Sequence, residues 1–308
     1  MRTLGGISNL LPFALDELLI YLLTITVCGY LMIGIRQMWK KTVSLKKWMR
    51  KTFWGVVRIG ILWFLIFTVN CGINYHRIPF SMQTGLSVEK YVVKELEGLC
   101  LWLTEEIEKT SQEITTQENG LCALPENMRE KTRDAMMELG DIYPSLSGWY
   151  PKAKPVFTWP LLSYEFLEGI AGPYTMEAHY NPNIPAYNQP AVLCHELSHL
   201  KGFMREDEAN YIAYLACRDS EDANIRYSGL MLAYTHSINA LYGADYDSFV
   251  KVRVQLCEQA ELDYAYHRYY WDQFEGPVSE VADKVNDAYL KANAQKEAGV
   301  MDVWWICC

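Results

Sequence analysis

Two apolar runs near the N-terminus constrain this chain more than any other feature. Residues 18–35 (LLIYLLTITVCGYLMIGI) carry no charge over 18 positions, and residues 53–73 (FWGVVRIGILWFLIFTVNCGI) carry only Arg58 over 21. About 20 apolar residues span a bilayer, so both runs are predicted to be transmembrane helices. Trp, Tyr and basic residues cluster at the run ends as interfacial anchors, which buried core helices do not need. Arg58 lies close enough to one end to snorkel toward the headgroups. A cleaved signal peptide is the competing reading of the first run. Against it, Asp16 and Glu17 stand where a positive region belongs, and a second apolar run follows.

Between the runs, residues 36–51 (RQMWKKTVSLKKWMRK) hold seven Lys/Arg and no acid. Short basic loops stay on the cytoplasmic side. That places the loop inside and everything from about residue 74 outside. Residues 1–73 are therefore predicted to be a membrane anchor, and 74–308 an extracytoplasmic domain of a multi-pass cell-membrane protein. Charge divides at the same point. Residues 1–72 hold nine basic and two acidic side chains, net +7, so the whole-chain charge of -9 leaves -16 for the remainder. An acidic outer domain excludes a dedicated nucleic-acid binder, and two spans with one terminal Arg give no polar pathway for a transporter.

The outer part reads as mainly helical. Helical spacing of apolar residues runs from 87 to about 118, and again over 125–139. Prolines 144, 151, 155 and 160, with Gly148, then break the chain into turns before a short segment at 161–167. YTMEAHYN, residues 174–181, has the composition of a strand and is expected to offer an edge on which an extended peptide pairs. Helices resume at Pro190 and continue, with breaks, to about 294. Nine cysteines form no C-x-x-C pair, which leaves zinc-ribbon and thioredoxin readings without support; Cys194 and Cys217 fall in apolar helical patterns and read as buried thiols.

The chemistry begins at AVLCHELSHLKG, where His195, Glu196 and His199 make H-E-x-x-H. Helical residues four apart share a face, so both imidazoles aim at one point, as zinc requires, and Glu196 stands beside the open coordination position as general base. Gly202 can end the helix. A third ligand is supplied by Glu206 or Glu208 in REDEANYIAYLAC, which point about 200° apart on a helix. Glu206 shares a face with Ala209, Asn210 and Ala213, small or amide residues that permit close approach of the two helices, and it is the expected ligand. Asn210 would then hydrogen-bond a ligating histidine. Tyr227, His236 and His179 are candidate oxyanion donors that sequence does not rank. Glu177 reads as structural, and Asn74, His76 and Arg77 as interfacial anchors.

The run CHELSHLKGFMREDEANYIAYLAC, with NYHR (74–77), KAKP (152–155), YTMEAHYN and RYSG (226–229), resembles the bacterial membrane proteins grouped as domain-of-unknown-function 3810, over roughly residues 10–300. That resemblance implies a zincin-like metallopeptidase. REDEAN is also similar to the R-E-x-x-A-D run of membrane-bound CAAX-processing and heat-shock zinc endopeptidases, in which the first Glu binds zinc; this implies Glu206, with Asn210 replacing the Asp. The chain departs from these patterns in three ways. Only six residues separate His199 from Glu206, so a tight turn at Gly202-Phe203 must return the chain. Arg205 occupies the metzincin ligand position. An earlier span common in the family is missing, and the tail VWWICC is unusual for it.

The expectation is a mainly α protein: two transmembrane helices, then a zincin-like α+β domain with a small sheet and an active-site helix. Its cofactor would be Zn2+ and its partners the lipid bilayer and a peptide or protein substrate. The alternatives are a non-catalytic envelope sensor or scaffold, and a zinc amidase acting on envelope material.

Overall fold

The computed structural model of the chain describes residues 4–86 and 92–292. In chain order it contains α1 (Leu4–Ser8), α2 (Leu15–Trp39), α3 (Leu45–Asn70), α4 (Phe80–Thr84), α5 (Val93–Ser111), α6 (Met128–Ile142), β1 (Lys154–Pro155), α7 (Trp159–Tyr164), β2 (Gly169–Gly172), β3 (Glu177–Tyr180) and α8 (Gln189–Leu200). Then follow α9 (Glu206–Arg218), α10 (Ala223–Ala244), α11 (Tyr246–Arg253), α12 (Glu258–Asp272) and α13 (Pro277–Ala292). The predicted start of a helix at residue 87 and the VWWICC tail lie outside the described residues.

Helices α2 and α3 are long and apolar enough to cross a membrane, and almost none of their apolar surface is covered by protein. Both extend past the apolar runs. The chain leaves the helix only over residues 40–44, so most of the basic loop is helical. Lys and Arg are good helix formers, and their stems lie along apolar surface while the charges reach outward. Near this connection the two helices meet at Gly34, where Trp48 fills the space a side chain would take. Tyr30 stacks on Trp48 at 5.7 Å and its hydroxyl bonds Thr52 at 2.7 Å.

The sheet order is β1-β3-β2, with β3 parallel to β1 and antiparallel to β2. This corrects the strand expected at 174–181. Tyr174 to Met176 belong to the turn, where Met176 takes φ +57°, and β3 is the buried central strand rather than the edge. The edges are β1 and β2, and the glycines of β2, GIAG, erase its strand signal in the sequence.

Two apolar cores lie side by side. One joins α6, α8, α9 and the sheet around Met136, Leu193, Leu197 and Ile212; the other joins α5, α10, α11 and α12 around Leu103, Ile107, Met231 and Leu241. Tyr214 on α9 packs against both. All seven cysteines among the described residues are free thiols, with the Cys194 and Cys217 sulfurs 3.8 Å apart in the core.

The α2–α3 hairpin is bonded to this body at several points. Ala14, at the N-cap of α2, has no side-chain acceptor, and Glu177 of β3 takes its place: Oε2 accepts from the backbone N–H groups of Leu15 (2.9 Å) and Asp16 (3.3 Å). Glu17 returns the arrangement by accepting from the N–H groups of Phe157 (2.9 Å) and Thr158 (2.8 Å), just before α7. Buried Lys154 donates to the carbonyls of Ser8 and Phe13 and to Glu177 Oε1 at 2.5 Å. Asp16 and Glu17, absent from the basic flanks, thus serve as the joint between helix and domain.

Candidate metal centre

Helix α8 starts with Pro190 in its first turn, where a missing N–H costs nothing. The Ala191 N–H is met by the Ser228 hydroxyl from α10 at 3.0 Å, so the buried start of the helix has a partner. Its end is set by Gly202 at φ +86°, a left-handed position that favours glycine, with the Gly202 N–H on the His199 carbonyl at 2.8 Å. Arg77, expected to be an interfacial anchor, instead donates to the Lys201 carbonyl and lies 4.1 Å over the Phe203 ring. A cation at a helix C-terminus stabilises it. The turn is complete within residues 201–205, and α9 begins at Glu206. Ala209 and Ala213 are fully buried, so this helix sits close to its neighbour.

Three lone-pair atoms converge at the head of α9. His195 Nε2 lies 3.1 Å and His199 Nε2 3.7 Å from Glu206 Oε2. Each imidazole is oriented by its other nitrogen. His195 Nδ1 donates to Asn210 Oδ1 at 2.7 Å, and His199 Nδ1 donates to the Phe203 carbonyl at 2.8 Å. In the neutral ring, with its proton on Nδ1, each Nε2 presents a lone pair inward. Glu208 is turned away, accepting from the Phe80 N–H at 2.8 Å.

The electrostatics favour a cation at this point. Burial opposes charge on His199, yet Glu206 holds its pKa up at about 9. Burial likewise works against the Glu206 carboxylate, but His199 and His195 keep its pKa well below the usual range. Two nitrogens and one carboxylate oxygen form a donor set that fits zinc. Glu206 keeps 42% of its side chain exposed, which leaves the site open on that side.

Glu196 is the opposite case. It is 5% exposed, its Oε2 is buried without a hydrogen-bond partner, and burial raises its pKa against the pull of both histidines. Gly169 of β2 makes room for it: a Cβ there would stand 2.6 Å from Glu196 Oε1. Gly169 and neighbouring Glu168 are site residues that the sequence reading missed, since neither lies in a motif. Burial pushes the Glu168 carboxyl up to about 7, partly offset by a 2.7 Å bond from Asn188 and by the charge of His195.

The three candidate oxyanion donors separate. Tyr227 is buried in the second core and gives its hydroxyl to Asp263 at 2.9 Å, so it is not brought to the histidines. His236 feels the charges of His195 and Glu206, and burial drives its pKa down to about 4, which keeps it neutral. His179 faces Asp16 at 3.1 Å and Glu177 at 3.7 Å. Asp16, Glu177 and His179 thus form a second group of ligand-type atoms within 4.8 Å of one another, but Lys154 is already bonded to Glu177 there.

Comparison with known proteins agrees with the resemblance read from the motifs. The family described as "Protein of unknown function (DUF3810)" matches residues 1–302. No curated protein and no solved structure matches. The chain, matched over nearly its whole length, belongs to the DUF3810 family.

Proposed function

We propose that this protein is a membrane-anchored, zinc-dependent peptidase with a zincin-like site. The observation that carries the reading is the inward convergence of His195 Nε2, His199 Nε2 and Glu206 Oε2 beside the buried, unpartnered Oε2 of Glu196. Bound zinc would supply an electrophile that polarises a peptide carbonyl and acidifies a nearby water. Glu196 takes a proton from that water and delivers it to the departing amine nitrogen, a task its raised pKa suits. Asn210 and the Phe203 carbonyl hold the two imidazoles in the ligating tautomer. A purely structural role gives no account of Glu196, because an unpartnered buried carboxylate oxygen destabilises a scaffold.

We read the domain as lying outside the cell membrane. Both far ends of α2 and α3 dock on it, and the basic residues gather at the opposite ends.

The test is metal content of the full-length protein in detergent, measured for wild type beside His199→Ala, Glu206→Ala and Glu208→Ala. About one zinc per chain is expected. It should be lost in His199→Ala, sharply reduced in Glu206→Ala and retained in Glu208→Ala. Glu196→Gln should keep the zinc and abolish hydrolysis of unfolded casein. A folded wild type without stoichiometric metal overturns the reading.

A further inference from the structure

The joints between membrane hairpin and site fix how far the site stands from the bilayer. Strand β2 begins at Gly169, against Glu196, and ends at Gly172, against the Asp16 carboxylate. Three residue steps of a strand cover about 10 Å. Asp16 lies in the first turn of α2, two positions before the apolar run starts at Leu18. Glu196 is therefore within about 25 Å of the start of the apolar run, a gap that seven or eight extended residues bridge.

The turn that follows β2 reaches α3 as well. Asn70 donates to the Pro173 carbonyl at 2.7 Å, and Tyr174 packs on Trp63 with ring centroids 4.9 Å apart. Trp63 precedes the end of α3 by seven residues, about 10 Å along the helix axis. The tip of the β2–β3 hairpin thus lies level with the apolar band of α3. Exposed apolar side chains occupy the same neighbourhood: Leu10 ahead of α2, Phe157 beside Glu17 at 74% exposure, and Ile170 on the edge strand at 46%.

These joints resist shear. Glu177 on α2, Glu17 on the start of α7 and Arg77 on the end of α8 bind by charge-assisted contacts, so hairpin and site move together. A peptide paired along the free edge of β2 has one end at Glu196 and the other directed at the head of α2. A soluble peptide in that position would thrust its flank into the bilayer, whereas a chain emerging from the bilayer arrives already aligned.

We propose that the substrate is a polypeptide anchored in the same membrane and that it is cut within about eight residues of the point where it leaves the apolar layer. This rests on the peptidase reading above.

The probe is a leucine-rich transmembrane helix with a tail of about 30 mixed residues, long enough to reach some 100 Å, attached before or after the helix. It is reconstituted with the full-length, zinc-loaded protein in phosphatidylcholine–phosphatidylglycerol vesicles, tail and domain on one face, and the same tail is supplied free in solution. Cut positions are mapped by mass spectrometry, with Glu196→Gln protein as background. Confinement to one bilayer raises the rate by itself, so position is the readout. Cuts clustered next to the helix in the anchored tail, and absent or without that clustering in the free tail, are expected. Cuts scattered along the anchored tail, or at the same positions in both tails, overturn the inference and leave the peptidase standing. Failure to cut either tail, with zinc bound, overturns both.

Discussion

Among the described residues stand two groups of acid and imidazole side chains, and they differ in what satisfies them. Asp16, Glu177 and His179 meet within 4.8 Å, as do His195, His199 and Glu206. In the first group the chain itself supplies a cation and donors to both carboxylates, while His179 Nδ1 is buried without a hydrogen-bond partner. Lys154 bonds Glu177 Oε1, the N–H groups of Leu15 and Asp16 bond Oε2, and the Thr175 hydroxyl bonds Asp16 at 2.7 Å. In the second group the outer nitrogens are held by Asn210 and Phe203, and the charge that faces Glu206 is a proton on His199, which a metal ion would displace. Residue types alone do not make a metal site. A charge that can be exchanged does, and by that measure the first group is a staple between α2 and the domain, the second a candidate socket.

The comparison breaks most readily at Lys154. Lys154→Met strands a buried carboxylate at Glu177, and leaving one partner of such a pair unmatched costs about 3–5 kcal/mol. Urea unfolding of the detergent-solubilised protein should show that loss with the zinc content of the folded fraction unchanged. His199→Ala should abolish zinc, whatever it does to the metal-free protein. Loss of zinc in the folded fraction of both variants would erase the distinction between staple and socket.

Within the socket, orientation is the sharper question. Asn210→Ala removes the acceptor from His195 Nδ1 and should weaken zinc binding about 10–100-fold by chelator competition, whereas Asn210→Asp retains the acceptor and should bind near the wild-type level. Loss of equal size in both would mean that Asn210 acts through packing. Gly169→Ala probes Glu196 in the same way. The added methyl displaces a carboxylate 2.6 Å away, so hydrolysis should fall about tenfold or more at unchanged zinc content. Unaltered kcat would show that Glu196 tolerates displacement and does not need the space.

How much of this was legible depended on the range of the interaction. The helix period alone places His195 with His199 and turns Glu206 away from Glu208, so the convergence could be read from a stretch of twelve residues. The two long apolar helices were equally visible, because length and apolarity are properties of the segment itself. The staple was not, since Asp16 and His179 lie 163 positions apart and no periodicity links them. For the same reason Arg77 was assigned to the interface rather than to the end of α8, 124 positions away. Strand β2 was hidden by its own glycines. Gly169 is needed for the room it leaves beside Glu196, a requirement that only the packed structure expresses.

A third buried group tests what neutral donors do for an imidazole. His267 is buried, its Nδ1 faces the Tyr187 hydroxyl at 3.1 Å and the Asn188 amide at 3.2 Å, and burial lowers its pKa to about 3. The unfolded chain takes up a proton there near 6.5 and the folded one does not. Stability from this group is therefore complete above pH 6.5 and is lost as pH falls toward 3. At pH 5.5 the loss is about 1.4 kcal/mol. Glu168, linked through Asn188, runs the other way: with its folded pKa at about 7 it stabilises below 4.5 and loses that contribution as pH rises through 7. His267→Gln keeps a polar side chain for Tyr187 and Asn188 without a titrating ring. Relative to wild type, its unfolding free energy should therefore gain about 1.4 kcal/mol as pH falls from 7.5 to 5.5, whatever the other titrating groups contribute. If the two profiles run parallel, the ring is not held neutral in the folded protein, and the donors of Tyr187 and Asn188 do not have the effect assigned to them.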